Sequence, residues 1–237
     1  MEREQLRALL QKKQDTDYQA FQYRLIPNAG VVIGVRMPVL HVIADEIVRE
    51  DWRTWLESAW TESWYEEIML RALVIARAKM PLTERLTRIQ DFVPEIQNWA
   101  VCDAFCAALH IADRDALWTF LQPYLQSKAE FAARFGAVML LQNFITAEDL
   151  SRTLSALAKI PATGYHARMG IAWALSVCGI QFPEQTLCFL ETAELEDWTY
   201  NKALQKMLES RRLPEALRQA VRARKRKTHR GAQHSSV

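Results

Sequence analysis

Asp103 follows Trp99 by four residues, one turn of a helix. The pair gains meaning from a beat in the chain. An aromatic residue opens five helical segments, Trp64, Trp99, Phe131, Tyr165 and Trp198, with gaps of 35, 32, 34 and 33 residues. With each aromatic as offset zero, offset three holds Arg134, Arg168 and Asn201. Offset four holds Asp103 and Lys202, and offset eight holds Trp173 and Lys206. At 100° per residue these offsets fall within roughly one third of a helix circumference. Two indoles and one carboxylate thus keep company with arginines and lysines. The cations suit phosphates, and arginine's planar fork pairs with them well. Indole faces suit cations, sugars and bases. A carboxylate repels a phosphate backbone, so Asp103 makes sense if the ligand carries positive charge. An alkylated purine is such a ligand, and its sugar becomes cationic as the glycosidic bond breaks. At ~4 Å and an effective dielectric of ~20, one opposite charge gives about 4 kcal/mol. Realised only in the transition state, that is on the order of 10³-fold in rate. Asp103 is also placed to orient an attacking water.

The elements that must position these residues are helical. A period near 34 residues is the mark of a stacked helical repeat, each unit a helix pair that cannot bury its apolar face alone. Only 7 Gly and 8 Pro occur in 237 residues, so helix should dominate. Short helices are expected at 4–14 and 17–24, then a Gly/Pro loop, then a helix whose first turn carries Pro38. Leu40, Ile43, Ala44 and Ile47 mark that helix's buried face. Pairs follow at 51–59 with 64–80, 83–93 with 99–111, 114–127 with 129–144, 147–159 with 165–179 and 184–192 with 198–211. An added helix spans 214–227. Asn98 and Thr146 are the expected N-caps of two of these helices. The expected architecture is all-α, with residues 1–217 as one repeat domain and 218–237 as a basic, partly disordered tail.

Half the residues are hydrophobic and 24% charged, ordinary for a soluble protein. No apolar run approaches a membrane span, and acids stand in MEREQLRALL where a signal peptide would be basic. A cytoplasmic protein, nucleoid-associated when acting on DNA, is the expectation. The net charge of +2 is uneven: seven Lys or Arg follow Leu217 and no acid does, which leaves the first 217 residues at −5. Such a terminal block is either an arm for polyanions or a solvated helix end. The four cysteines suggest no disulfide framework. Cys102, Cys106 and His110 sit at i, i+4, i+8, but their neighbours Phe105, Ala107, Ala108 and Leu109 read as core, and no fourth ligand has zinc-like spacing. There is no Gly-rich phosphate loop and no GxSxG elbow. Trp99 and Trp173 also suit plain repeat packing. Composition and spacing alone leave a polyanion-binding face and a protein-binding scaffold both open.

Several stretches resemble the DNA alkylation repair family, the HEAT-like-repeat DNA glycosylases of the AlkD type. Leu25-Ile26-Pro27 followed by Ile33-Gly34-Val35-Arg36-Met37-Pro38 is similar to the family's N-terminal signature. Asn98-Trp99-Ala100-Val101-Cys102-Asp103 resembles its catalytic helix. Arg134 in Ala132-Ala133-Arg134-Phe135-Gly136 and Trp173 in Gly170-Ile171-Ala172-Trp173-Ala174-Leu175 match active-site positions. Asn201-Lys202-Ala203-Leu204-Gln205-Lys206 with Glu209-Ser210 resembles the last-repeat signature. The resemblance runs over residues 21–212. It implies a right-handed superhelical α-solenoid of HEAT-like helix pairs with a concave binding face. It implies a monofunctional enzyme that excises cationic N3- and N7-alkylated purines from duplex DNA without drawing the base into a pocket. Asp103 would stabilise the sugar cation and position water, Trp99 and Trp173 would pack on the lesion's deoxyribose and backbone, and Arg134 would hold a phosphate. Arg36, Arg168, Asn201, Lys202 and Lys206 are the expected DNA contacts. No metal or organic cofactor is implied, and a monomer with no membrane partner is expected.

Overall fold

The computed structural model describes residues 1–58, 63–161 and 164–227. Among the described residues there are fourteen α-helices, one 3₁₀ turn at Val93–Glu95 and no strand. The contacts divide them into two compact units, Met1–Phe120 and the chain from Leu121 onward.

The first unit begins with α1 (Arg3–Lys12), α2 (Thr16–Leu25) and α3 (Met37–Arg49). Two pairs follow, α4 (Trp52–Glu57) with α5 (Tyr65–Arg77) and α6 (Leu82–Phe92) with α7 (Trp99–Ala108). Its spine is α5, which packs on α3 to one side and α7 to the other. The apolar stripe of α3 is the expected one: Leu40, Ile43, Ala44 and Ile47 are buried, and Pro38 sits in the first turn. On α5, Tyr65, Met69, Leu70, Leu73 and Val74 are all buried, as befits a helix covered on several sides. Arg85 of α6 donates to the carbonyls of Ile75, Ala76 and Ala78, and so closes the C-terminal end of α5.

After α8 (Arg114–Leu125), the second unit repeats the scheme with α9 (Glu130–Asn143), α10 (Leu150–Lys159), α11 (Tyr165–Gln181), α12 (Pro183–Thr192), α13 (Asp197–Glu209) and α14 (Glu215–Ala223). Here α11 is the spine, packed between α9 and α13. Arg218 of α14 closes α13 through the carbonyls of Leu208 and Ser210, the same device that Arg85 supplies in the first unit.

The aromatic beat falls on helix starts throughout: Trp64 is the N-cap of α5, Trp99 and Tyr165 open α7 and α11, and Phe131 and Trp198 are second in α9 and α13. Asn98 caps α7 as expected, its side chain accepting from the Val101 N–H at 3.0 Å. Thr146 does not cap α10. That helix begins at Leu150 after Asp149, and Thr146 instead exchanges hydrogen bonds with Asp149 in the turn before it. The added helix α14 ends at Ala223 rather than 227 because the next residues turn back onto α12 and α13. The tail residues 228–237 lie outside the described residues.

Candidate functional site

On α7 the Asn98 cap fixes where the helix starts, and so fixes its phase. Val101, Cys102, Phe105 and Cys106 are buried, and Phe105 meets Phe92 edge-on at 5.0 Å. Trp99, Ala100, Asp103 and Ala104 therefore take the other face, where all four line a cavity of about 290 Å³. Trp99 and Asp103 are half-buried at its wall. The indole N–H of Trp99 donates to the Leu25 carbonyl at 3.3 Å, which joins α7 to the end of α2. The rest of the wall is apolar and aromatic, chiefly Tyr18, Phe21, Leu25 and Met69. Phe21 and Leu25 are 47% and 45% exposed, so the cavity mouth is greasy. An apolar wall beside a carboxylate lowers the local dielectric and strengthens any charge interaction it makes.

The sequence pattern does not mark Tyr18 or Phe21 as site residues, and it gives Leu25 only as part of the N-terminal signature. A signal was present, since they stand at i, i+3, i+7 on a short helix with no other apolar stripe.

The loop between α2 and α3 is held by a buried anchor. The Glu66 carboxylate is fully buried and accepts the backbone N–H groups of Ile33, Gly34 and Val35 at 3.0, 2.8 and 3.2 Å. Gly34 has φ +91, and a Cβ there would lie 2.6 Å from both the Asp15 carbonyl and the Gln19 side chain. Arg36 follows directly and pairs with Asp15 at 2.8 Å. Its guanidinium lies 4.9 Å from the Tyr18 ring centroid, and its side chain is 59% exposed. Asp15 also caps α2 through the Tyr18 N–H. That N–H first, and Arg36 second, hold its carboxyl below the usual aspartate range. Burial raises the Tyr18 phenol, as it does the Tyr65 phenol at the same cavity. Thus the first unit brings Trp99 and Asp103 to one cavity and links Arg36 to it through Tyr18.

The second unit distributes its expected residues over three places. Trp173 and Lys206 share a groove of about 380 Å³ between α11 and α13, with Gln181, Ser210 and Arg212 also on its wall. Arg168 and Lys202 flank Trp198, at 4.8 and 5.5 Å from the ring, and Arg168 pairs with Glu196 at 3.0 Å. Arg134 and Asn201 are engaged by backbone. Arg134 is only 4% exposed, and its Nη1–H donates to the His166 carbonyl at 2.8 Å. Glu130, one turn earlier on α9, accepts the His166 N–H, so two α9 side chains grip the start of α11. Gly164 and Gly170 permit this close approach: a Cβ would meet the Glu130 carboxyl at 2.3 Å and Arg134 Cγ at 3.2 Å. Asn201 exchanges both of its amide bonds, each 2.9 Å, with the backbone of Arg226.

The basic segment after α14 is therefore anchored as far as Arg226. Arg224 pairs with Glu191, and Arg226 pairs with Asp197, donates to two carbonyls and covers the Tyr200 ring at 3.9 Å. Cys102 and Cys106 are buried while His110 is exposed, so the three do not converge. Among the described residues no group of three or more His, Cys, Asp or Glu could hold a metal ion. Burial pushes the Cys178 thiol up to about 12, which makes it an inert core residue. No helix in the described residues is long and apolar enough to cross a membrane.

A family model described as DNA alkylation repair enzyme matches residues 3–207. Comparison with curated proteins gives no match.

Proposed function

We propose that the chain, which belongs to the DNA alkylation repair enzyme family, is a monofunctional DNA glycosylase that releases cationic N3- and N7-alkylated purines from duplex DNA. The observation that carries this reading is the Trp99–Asp103 pair at the wall of an apolar cavity. The chemistry asks little of the protein. An N3- or N7-alkylated purine already carries positive charge, so it departs neutral with the electron pair of the glycosidic bond and needs no general acid. What must be stabilised is the sugar cation left at C1′. A carboxylate held nearer C1′ than the base, in apolar surroundings, stabilises the transition state more than the ground state as the positive charge moves from the base to the sugar. Asp103 is that carboxylate, and it also accepts a hydrogen bond from the water that then attacks C1′, whose proton passes to solvent.

In this reading Trp99 and Trp173 pack against the lesion's sugar and backbone. Lys206, Arg168, Lys202 and Arg36 meet phosphates. Arg134 takes a positioning role, since it is bonded to the His166 backbone at the start of the helix that carries Arg168 and Trp173, and Asn201 holds the Arg226 backbone beside α13. The reading takes the helix pairs as HEAT-like repeats of a right-handed superhelix whose concave face meets the duplex, with the lesion left outside any base pocket. It requires no cofactor and one copy of the chain, acting in the cytoplasm on the nucleoid. The test is release of 7-methylguanine or 3-methyladenine from alkylated duplex by folded protein. No release of either would overturn it. A protein-binding scaffold would instead show no affinity for DNA at moderate salt.

A further inference from the structure

Tyr165 is the one aromatic of the five-residue beat that stands exposed, at 53%. It opens α11 and lies in a row of rings across the starts of α9, α11 and α13. Phe131 stacks on His166 at 5.2 Å and 27°. Tyr165 meets His166 at 5.3 Å and Trp198 at 5.7 Å, both steeply, at 82° and 63°. Among the described residues no aromatic neighbour lies parallel to the Tyr165 ring. The row is anchored at its centre: Glu130 and Arg134 hold the backbone of His166, and a Cβ at Gly164 would collide with Glu130.

Cations complete the row. Arg168 and Lys202 lie beside Trp198, and Lys202 donates to Gln205 and, among the described residues, to no acid. Of the acids nearby, Glu196 pairs with Arg168, Asp197 pairs with Arg226 and Glu130 accepts the His166 N–H, while Glu194 is exposed. Three helix starts add their positive ends to the same edge.

A flat, exposed ring beside cations suits a flat ring joined to phosphate. In a paired duplex each base has both faces covered by its neighbours, so only an unpaired base has a face to give. We propose that the Phe131–His166–Tyr165–Trp198 row is a stacking platform for an unpaired nucleobase, with Arg168 and Lys202 receiving the adjoining phosphates. The platform rests on the chain acting on DNA, but not on the glycosylase chemistry of Asp103.

The experiment compares two undamaged duplexes at one salt concentration, one fully paired and one with a single bulged 2-aminopurine. The wild type should bind the bulged duplex about tenfold more tightly, a 1.4 kcal/mol preference within the range of base–aromatic stacking. Binding should quench the 2-aminopurine fluorescence. Tyr165→Ala should bind both duplexes equally and lose the quench, while Tyr165→Phe keeps both. Tyr165 is exposed, so the alanine variant should fold, which circular dichroism checks. Equal binding of the two duplexes by the wild type, or an undiminished preference in Tyr165→Ala, would overturn the platform. Base release from alkylated duplex reads the glycosylase separately, so either proposal can fail alone.

Discussion

The indole of Trp99 and the carbonyl of Leu25 meet at 3.3 Å across 74 positions of sequence. This bond joins two motifs that sequence alone presents as unrelated: the Trp-to-Asp helix and the Leu-Ile-Pro turn. It ties the indole to the end of α2 at the Asp103 cavity, whose wall Leu25 also lines. Trp99→Phe keeps a ring but loses the donor. It should cost about 1 kcal/mol of stability and lower base release by several fold more than duplex binding. Thermal unfolding and single-turnover release check the two effects. Equal losses in release and in binding would count against a role for Trp99 in orienting the reaction.

Glu67 is fully buried and receives bidentate pairs from Arg3 and Arg7 of α1, plus the Trp64 N–H. Burial pulls its carboxyl up, but the two guanidiniums and the N–H outweigh it, so the net shift is downward from 4.5. A lowered folded-state pKa adds stability that is complete above the unfolded value. That stability is lost as pH falls from about 4.5 through the lower folded value. Glu67→Gln should therefore cost about 2 kcal/mol at pH 7, and the gap to wild type should narrow below the ordinary glutamate range. Unfolding midpoints from pH 7 to 3 measure it. A gap that does not depend on pH would show that the ion pairs contribute nothing.

Gly34→Ala meets both a positive φ and a contact at 2.6 Å. It should cost about 2 kcal/mol. The loop it disturbs leads directly into Arg36, so duplex affinity should fall together with stability. Fluorescence anisotropy with undamaged duplex tests this. Unchanged affinity would place Arg36 outside the DNA contacts.

Much of the fold was legible in sequence because the beat marks helix starts. Trp99 and Tyr165 open helices, Trp64 caps one, and Phe131 and Trp198 stand second in theirs, while the α3 stripe matches its periodicity residue by residue. Offset counting gives direction from a helix axis but not depth beneath a neighbour. It could not show that Arg134 lies under the start of α11, or that Asn201 is bonded to Arg226. Both facts depend on which backbone passes nearby, and local pattern carries no record of that. The tail shows the same limit. Its charge run reads equally as an arm or as a solvated helix end, and neither reading foretells that Arg218, Arg224 and Arg226 each have named partners in the folded chain.

The Asn201–Arg226 exchange makes the anchored tail a coupled element. Truncation after Ala223 and Asn201→Ala should each cost about 1–2 kcal/mol. The two together should cost no more than the truncation alone, because both remove the same pair of bonds. A double-mutant cycle by chemical denaturation measures the coupling. Strict additivity would contradict the clamp.

In the proposed reaction the Asp103 carboxylate lowers the barrier to glycosidic cleavage. The most direct measurement is single-turnover release of 7-methylguanine from alkylated duplex by wild type and Asp103→Asn, with duplex affinity measured beside it. Asparagine keeps the shape and removes the charge. Release should fall on the order of 10³-fold, the rate equivalent of about 4 kcal/mol, while duplex affinity stays within about twofold, since a carboxylate adds nothing to phosphate binding. Release by Asp103→Asn at the wild-type rate would contradict the account.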